Sequence, residues 1–361
     1  MLSFGEPAPW FTARSTVNPN YQFDTVAGRY IVLCFFGSAD DPANAQILAE
    51  IDRMGSGFDI ENFCFFGVST DPDDERLGRL SLRWPGVMFF WDFDHAISKL
   101  YGVALPDGQT YQRQTIVLDQ ALRTLAVIPF EGDPAAHVPA VIRILNSVPP
   151  IRTLDGIAPV LIIPHIFERL FCQSLIEMYE RFGGQESGYM KEVGGKTVQM
   201  LNPNYKRRTD YVIQDPAVIQ ETVRRLQRRL IPEIKKVFQY DATYIERYIV
   251  SCYDAATGGF FKRHRDHTTK GTAHRRFAVS INLNAEDYEG GDLWFPEFGQ
   301  RNYRAPTGGA VVFSCALTHE VRKMTRGKRY AFLPFLYNVE GEQVRQMNLP
   351  FLDTSKVHVQ S

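Results

Sequence analysis

The sequence predicts an α/β domain followed by a second domain of short β-strands in a sandwich or jelly-roll arrangement. Residues 1–145 alternate apolar, strand-like runs with helix-like stretches, which is typical of an α/β sheet. After residue 244, many short strand-like runs are separated by glycine pairs, as in β-sandwiches and jelly rolls. A stretch rich in proline and glycine lies between the two patterns. The predicted division is therefore residues 1–147, a linker at 148–159, and residues 160–361.

The elements of the first domain follow from runs of apolar residues and their spacing. Strands are predicted over residues 30–36, 63–69, 87–91, 114–118 and 124–129. Helices are predicted over residues 43–54, 95–101 and 135–145.

The second domain is predicted to begin with helices. A helix over residues 164–181 is followed by a polar, glycine-rich loop at 183–195. Asp215 and Pro216 start a further helix, because aspartate caps free amides and proline suits the first helical position. The arginines between residues 224 and 229 are interpreted as its solvated face, since no aromatic residues interleave them as in a nucleic-acid surface.

Short strands make up the remainder of the second domain. They are predicted over residues 244–253, 260–262, 277–283, 293–295, 310–313, 319–321 and 330–337.

Composition is that of an ordinary globular protein, with 361 residues, 44% hydrophobic and 22% charged. The net charge is -1, but the two parts of the chain differ. The first 150 residues contain 10 basic and 18 acidic residues, and the remainder contains 30 basic and 23 acidic residues. This asymmetry indicates two domains that differ or attract one another, with an acidic partner for the second as the alternative. Five cysteines without metal-binding spacing predict reduced, buried thiols. Without a long apolar run, the protein is expected to be cytoplasmic and not bound to a membrane.

Three residues of the second domain have the types and spacing of an iron site. His264 and Asp266 lie two apart, so on an extended strand both project to one face, and His319 begins another predicted strand. Two imidazoles and a carboxylate on one face leave three positions open, as in non-haem Fe(II) oxygenases. Arg329 follows ten residues after His319 and has the side chain to grip a distal carboxylate.

Residues 253–266, 290–296 and 319–330 resemble the prolyl 4-hydroxylase type of 2-oxoglutarate/Fe(II) dioxygenase, over about residues 162–337. The resemblance implies an α+β domain built on a double-stranded β-helix, or jelly roll. It implies that His264, Asp266 and His319 bind iron, and that Arg329 binds the C5 carboxylate of 2-oxoglutarate. Tyr253 is a second candidate contact to this cosubstrate, with an aromatic core residue as the alternative.

The implied cofactors are Fe(II), 2-oxoglutarate and O₂, with ascorbate as a further candidate. The implied reaction converts 2-oxoglutarate to succinate and CO₂ and hydroxylates a substrate C–H. Asp266 indicates hydroxylation, because halogenating relatives replace this carboxylate by a small residue. The expected substrate is a prolyl residue of a peptide or protein, with another residue or a free amino acid as alternatives. The basic loop at 205–211 is interpreted as solvated, with a substrate-covering segment as the alternative.

Four neighbouring residues are assigned other roles. His267 and His274 are not expected to touch metal, and His165 is expected at a helix start. Lys328 is predicted to point away from Arg329, because alternate residues of a strand face opposite sides.

The first domain resembles a peroxiredoxin, a thiol peroxidase of the thioredoxin fold, in residues 5–11, 35–36, 67–70 and 113–119. That chemistry needs a low-pKa cysteine in the first turn of the helix after the first strand. Residues 38–44 contain no cysteine, so peroxidase activity is predicted to be absent and Arg113 is assigned to a salt bridge. Cys34 and Cys64 lie within apolar strands, where burial raises a thiol pKa.

Three functions from different classes are open from the sequence. The first is a hydroxylase whose redoxin-like domain binds a partner, forms a homodimer or presents substrate. The second is a thiol peroxidase with a decayed oxygenase domain. The third is a scaffold in which both sites are inactive. The intact iron and arginine positions beside a missing cysteine favour the first.

Overall fold

The computed structural model describes residues 2–54, 57–59, 61–80, 82–83, 86–105 and 110–359. It divides into two compact units, Met1–Ile157 with Pro296–Arg301, and Ala158–Phe295 with Asn302–Ser361. The five cysteines are buried thiols, as predicted. Within the described residues, none of the helices combines the length and apolarity that a membrane span requires.

The first unit is a mixed α/β structure. Its strands are β1 (Thr12–Ala13), β2 (Tyr21–Gln22), β3 (Tyr30–Gly37), β4 (Phe63–Ser69), β5 (Val87–Trp91), β6 (Gln114–Leu118) and β7 (Thr124–Pro129). Its helices are α1 (Pro42–Arg53), α2 (Pro72–Arg76), α3 (Ala96–Leu100) and α4 (Pro134–Ser147). The main sheet has the order β5-β4-β3-β6-β7, in which β3, β4 and β5 are parallel and β6 and β7 are antiparallel to their neighbours.

Strand β3 is buried on both faces of this sheet, which explains its continuous apolar run. Leu33 and Phe35 pack in a core that includes Ile97 of α3. Cys34 and Phe36 alternate with them and pack in a core that includes residues of α1 and α4. The sequence alternation therefore places helices against both faces of the sheet.

In its described residues, the second unit contains many short strands and four α-helices. The helices are α5 (Arg169–Phe182), α6 (Pro216–Arg225), α7 (Ile231–Phe238) and α8 (Val339–Asn348), and a π-helical segment, Leu226–Leu230, joins α6 to α7. The strands of its first part are β8 (Leu161–Ile163), β9 (Gln185–Glu186), β10 (Tyr189–Val193), β11 (Lys196–Leu201), β12 (Lys206–Arg207), β13 (Thr209–Val212), β14 (Tyr244–Glu246), β15 (Ile249–Asp254), β16 (Phe260–His264) and β17 (Phe277–Asn282). The others are β18 (Glu289–Gly290), β19 (Leu293–Trp294), β20 (Asn302–Tyr303), β21 (Ala310–Ser314), β22 (His319–Val321), β23 (Met324–Arg326), β24 (Lys328–Phe332), β25 (Phe335–Tyr337) and β26 (Leu352–Val359).

Two antiparallel sheets form the body of this unit. The larger sheet runs β14-β25-β17-β24-β15-β13-β9, with β21 pairing β17 and β8. The smaller sheet has the order β12-β16-β22-β19-β20. A separate sheet, β10-β11-β26, contains the parallel pair β11 and β26. Two facing antiparallel sheets made of strands distant in sequence are the jelly-roll architecture.

The larger sheet has one apolar face and one polar face. Val250 and Cys252 of β15 belong to a core that includes Leu175 of α5. Ser251 and Tyr253 alternate with them, so they face the other side of the sheet. This polar face is buried and carries two residues of the candidate site, Tyr253 and Arg329, which pair across β15 and β24.

Several predicted boundaries are wrong. The glycine-rich loop predicted at 183–195 contains β9 and β10. The helix predicted over residues 164–181 begins at Arg169. His165 therefore lies outside the helix, where it is exposed and has a φ of 61°. The predicted strand 244–253 is broken at Arg247, whose φ of 69° is a left-handed conformation that interrupts extended pairing. The predicted strand 330–337 is likewise divided between β24 and β25.

Candidate functional site

His264, Asp266 and His319 converge on one point. One ligand atom from each lies within 4.8 Å of the others. The Nε2 atom of His264 is 3.7 Å from Oδ1 of Asp266, and Nε2 of His319 is 3.4 Å from Oδ2. His264 ends β16 and His319 begins β22, and these neighbouring strands pair the two histidines directly. Pairing in the smaller sheet thus joins residues 55 positions apart in sequence.

The site assembles differently from the sequence prediction in one respect. Asp266 does not continue the strand of His264, because β16 ends at His264 and Asp266 lies in the turn that follows. Its backbone N–H donates to the carbonyl of Cys315 at 3.0 Å, which ties this turn to the chain just before His319. The carboxylate is therefore directed toward the two imidazoles by a turn, not by strand alternation. The end of β16 holds this turn on one side, and the contact with Cys315 holds it on the other.

Both histidines present Nε2 to this point. Nδ1 of His264 lies 2.7 Å from the carbonyl oxygen of Lys262, and Nδ1 of His319 lies 3.1 Å from that of Leu317. A carbonyl oxygen only accepts, so each Nδ1 carries the proton and each Nε2 keeps its lone pair. Backbone carbonyls that orient histidines in this way are the usual outer partners of a metal site.

The charge states of the cluster suit a cation. Burial, followed by the charge of His319, holds the pKa of His264 well below its usual value. Burial alone would raise the pKa of Asp266, but His319, His264 and Arg275 together hold it below the usual value. A neutral imidazole beside an ionised carboxylate is the protonation state in which such side chains bind metal.

Aromatic rings surround the imidazoles. Phe261 stacks on His264 at 3.5 Å between ring centroids, and Phe313 meets His319 edge-on at 4.7 Å. These contacts fix the ring orientations and exclude water from one side of the cluster.

Arg329 lies on β24 and is 3% exposed. Its guanidinium donates to the Ser280 hydroxyl at 2.7 Å, the Gly291 carbonyl at 2.8 Å and the Asn282 side-chain oxygen at 3.4 Å. None of these three partners is charged, so the positive charge of the guanidinium is available to an anionic ligand. Gly291 has a φ of 66°, and a Cβ there would lie 2.3 Å from Met324 Sδ, which explains the need for glycine beside this arginine. Lys328 points away, toward Glu180 at 3.4 Å, as predicted.

Tyr253 lies directly opposite Arg329 in the pairing of β15 with β24. The centroid of its ring is 5.4 Å from Cζ of Arg329 and 5.8 Å from Cζ of Arg208. Its hydroxyl accepts a hydrogen bond from Arg208 at 3.4 Å. Tyr253 is 1% exposed, but it lies on the polar face with Arg329 rather than in the apolar core.

The interpretation of residues 205–211 as a solvated loop is wrong. Lys206 and Arg208 are buried, at 4% and 7% exposure, and only Arg207 of the three basic residues is exposed. Arg208 is ion-paired with Asp210 at 2.7 Å. Alternation along β12 and β13 turns these side chains inward, a pattern visible in the sequence only once the segment is known to be a strand.

A second ion-pair network near the cluster was also missed. Glu246 accepts from Arg275 through both carboxylate oxygens, at 2.9 and 2.5 Å, and lies 2.8 Å from His274 Nε2. Arg275 also donates to the backbone carbonyl of Asp266 at 3.4 Å. His274 is therefore engaged away from the three ligand atoms, and His267 lies outside the cluster among the described residues.

The first unit has an amide where a peroxidase would need a thiolate. Asn44 lies in the first turn of α1, and its side-chain oxygen accepts from Arg113 at 3.0 Å. Arg113 also pairs with Asp41 at 3.0 Å, which confirms its predicted salt bridge. Burial raises the pKa of the Cys34 thiol to about 12, as expected for an unreactive core cysteine.

Residues 248–337 match the family model described as the 2OG-Fe(II) oxygenase superfamily. The other family match, to the AhpC/TSA family, covers residues 4–124. The two fold predictions, a thioredoxin-like unit followed by an oxygenase jelly roll, are thereby confirmed.

Curated relatives of the oxygenase region are PKHD-type hydroxylases. The chain is 29% identical over 129 residues to one from Synechococcus sp., a match that covers 32% of this chain and 57% of the relative. It is 37% identical over 91 residues to one from Pseudomonas fluorescens, covering 23% of this chain and 39% of the relative. The chain thus spans little more than half the length of the first relative, and less of the second.

Two solved structures each match part of the chain. A prolyl hydroxylase from Trichoplax adhaerens, solved with a peptide fragment of the hypoxia inducible factor oxygen degradation domain, covers 52% of this chain and 86% of its own at 17% identity and a TM-score of 0.40. The peroxidoxin BcpB of Mycobacterium tuberculosis covers 41% of this chain and 99% of its own at 19% identity and a TM-score of 0.35.

Proposed function

We propose that the second unit is an Fe(II)- and 2-oxoglutarate-dependent dioxygenase that hydroxylates a C–H of a prolyl or other residue in a peptide or protein. The observation that carries the proposal is the convergence of two Nε2 atoms and one carboxylate within 4.8 Å, with both Nδ1 atoms held by backbone carbonyls. Two nitrogens and one oxygen on one side are the donor set of non-haem Fe(II) oxygenases. The superfamily match supports the same assignment.

His264, Asp266 and His319 are proposed to hold the iron. When bound, Fe(II) supplies the redox chemistry that couples O₂ and 2-oxoglutarate to hydroxylation of substrate carbon. Asp266 contributes the negative charge, and the two imidazoles bind as neutral ligands. The rings of Phe261 and Phe313 hold the imidazoles in place and keep water from that side.

Arg329 is proposed to bind the distal carboxylate of 2-oxoglutarate. The guanidinium is oriented by three neutral partners, which do not neutralise its charge: Ser280, Asn282 and the Gly291 carbonyl. Tyr253 is proposed as a second contact, since its ring lies between Arg329 and Arg208 on the polar face. Ascorbate is proposed only as a reductant that restores Fe(II).

The first unit is proposed to be non-catalytic. A peroxidatic thiolate needs a cysteine beside a cation at a helix start. Asn44 and Asp41 take the Arg113 interactions that would stabilise such a thiolate. Partner binding or presentation of substrate are the proposed roles of this unit.

The test is an anaerobic titration with Fe(II) and 2-oxoglutarate, followed by exposure to O₂ and measurement of succinate. The expected result is a metal-to-ligand charge-transfer band and succinate formation, both lost in His264→Ala. Arg329→Ala is expected to keep metal binding but to need far more 2-oxoglutarate. His165→Ala, which changes an exposed histidine outside the cluster, is the matched control. If the intact protein binds neither Fe(II) nor 2-oxoglutarate, the proposal is wrong.

A further inference from the structure

Four basic side chains lie close to the proposed iron ligands, and we call them the basic cluster: Lys206, Arg208, Arg247 and Arg275. The Lys206 Nζ atom is 4.8 Å from the centroid of the Phe261 ring, the ring that stacks on His264. On the Asp266 side, the guanidiniums of Arg275 and Arg247 lie 4.0 and 4.2 Å from the centroid of the Phe335 ring. The Phe261 ring thus connects Lys206 to His264, and Arg275 donates directly to the Asp266 carbonyl.

Two members of the basic cluster already have carboxylate partners. Arg208 pairs with Asp210, whose other oxygen accepts from Ser251 at 2.6 Å. Arg275 pairs with Glu246. Direct ion pairs thus tie these two carboxylates to Arg208 and Arg275.

Lys206 and Arg247 form no ion pair with a carboxylate in the described part of the chain. Lys206 donates to the Ser187 hydroxyl at 2.8 Å and the Gly188 carbonyl at 2.6 Å. Arg247 donates to the Leu333 carbonyl at 3.2 Å, and its buried Nε has no hydrogen-bond partner. Cations that are withdrawn from water without an anion are costly, so such residues usually mark a ligand position.

Backbone strain and electrostatics agree with this view. Arg247 keeps a φ of 69°, a conformation that non-glycine residues adopt only where the surrounding structure holds them. Burial, with the charges of Arg275 and Arg208, lowers the pKa of Arg247 to about 10. Burial, with the charge of Arg208, also lowers the pKa of Lys206 well below its usual value. Asp210 acts in the opposite direction on both side chains, but burial and the neighbouring cations outweigh it.

We propose that the substrate of this oxygenase carries a carboxylate, which Lys206 and Arg247 bind. The inference rests on the proposed function and goes beyond it by naming a substrate class. Arg329 is assigned to 2-oxoglutarate and Asp266 to the metal, so a substrate carboxylate would meet Lys206 and Arg247 instead. The carboxylate belongs either to a small acid or to an acidic peptide.

The test uses the full chain with saturating 2-oxoglutarate and matched pairs of ligands that differ only in the carboxylate. One arm compares N-acetyl amino acids with their amides. The other compares peptides in which glutamate or glutamine flanks a proline. Binding is followed by the melting temperature of the Mn(II)-loaded protein, and turnover by succinate release from the Fe(II) protein. The arm that responds identifies whether a small acid or an acidic peptide supplies the carboxylate.

The expected result is that carboxylates, and not their neutral partners, raise the melting temperature and accelerate succinate release. Lys206→Met and Arg247→Met are each expected to raise the half-saturating carboxylate concentration by roughly 10- to 100-fold, the loss of one hydrogen bond to a charged group. Lys206→Arg is expected to retain most of the response. Arg207→Met, which alters the exposed neighbour of Lys206, is expected to match the wild type.

Two outcomes would overturn the inference: a panel in which no carboxylate exceeds its neutral partner, or variants that respond as the wild type does. The slow succinate release without substrate separates this failure from failure of the proposed function. If that basal release is present and the carboxylates have no effect, only the substrate class is wrong. If basal release is absent in the wild type, the oxygenase assignment itself fails.

Discussion

Glu246 is predicted to be a main stabilising residue of the second unit. Its carboxylate, 15% exposed, holds Arg275 through two hydrogen bonds and contacts His274. Glu246→Gln keeps the side-chain shape but leaves Arg275 buried without an anion. Removing one partner of a buried ion pair costs about 3–5 kcal/mol. For a unit of this size, that corresponds to a fall of roughly 6–20 °C in melting temperature.

Differential scanning calorimetry of the full chain measures this effect, since the first unit serves as an internal reference. Glu289→Gln is the matched control, because Glu289 pairs with Arg326 at the surface and both side chains are more than 60% exposed. An exposed pair contributes about 1 kcal/mol or less. Equal melting temperatures for the two variants would refute the assignment of a stabilising role to the buried network.

The same network predicts a dependence of stability on pH. Burial alone would raise the pKa of Glu246, but Arg275 and His274 hold it far below its usual value. A carboxyl whose pKa is lowered by folding stabilises above its unfolded pKa of about 4.3 and loses that contribution as the pH falls further. The second unit is therefore expected to lose stability below about pH 4, and Glu246→Gln to show a shallower loss.

Three further predictions concern the cosubstrate, the first unit and the thiols. Arg329→Ala is expected to raise the KM for 2-oxoglutarate by about 100-fold, because one to two charged hydrogen bonds are lost. The affinity for Fe(II) should not change. Steady-state kinetics measure the KM, and a metal titration measures the Fe(II) affinity. Burial lowers the pKa of His137 to about 4, so the unfolded state binds more protons between about pH 6.5 and 4. Acidification through this window should cost the first unit at most about 3 kcal/mol, and His137→Gln should remove that loss in calorimetry. The five buried cysteines are expected to react with a thiol reagent only after unfolding, and rapid labelling of the native protein would contradict their placement.

Local sequence patterns were sufficient for most of the first unit. Strands β4 to β6 begin and end where the apolar runs do, because a strand buried on both faces leaves a continuous signal. Proline and aspartate at the starts of α1 and α4 also mark helix boundaries, since the aspartate caps free amides.

The second unit was harder to predict because its polar residues point inward. A basic run such as Lys206 to Arg208 looks solvated when its partners are unknown, and those partners, Ser187 and Asp210, become visible only in the folded sheet. The break at Arg247 leaves no clear sequence signal either, since nothing nearby predicts a left-handed arginine. Residue types and order suggested the proposed iron ligands, whereas the turn that carries Asp266 depends on a distant contact with Cys315.

The most direct test of the central proposal is a crystal structure of the full chain, prepared without oxygen in the presence of Mn(II) and 2-oxoglutarate. The proposal predicts one metal ion bound by Nε2 of His264, Nε2 of His319 and the Asp266 carboxylate, with the distal carboxylate of 2-oxoglutarate on Arg329. A metal ion bound elsewhere, or 2-oxoglutarate that does not contact Arg329, would contradict it.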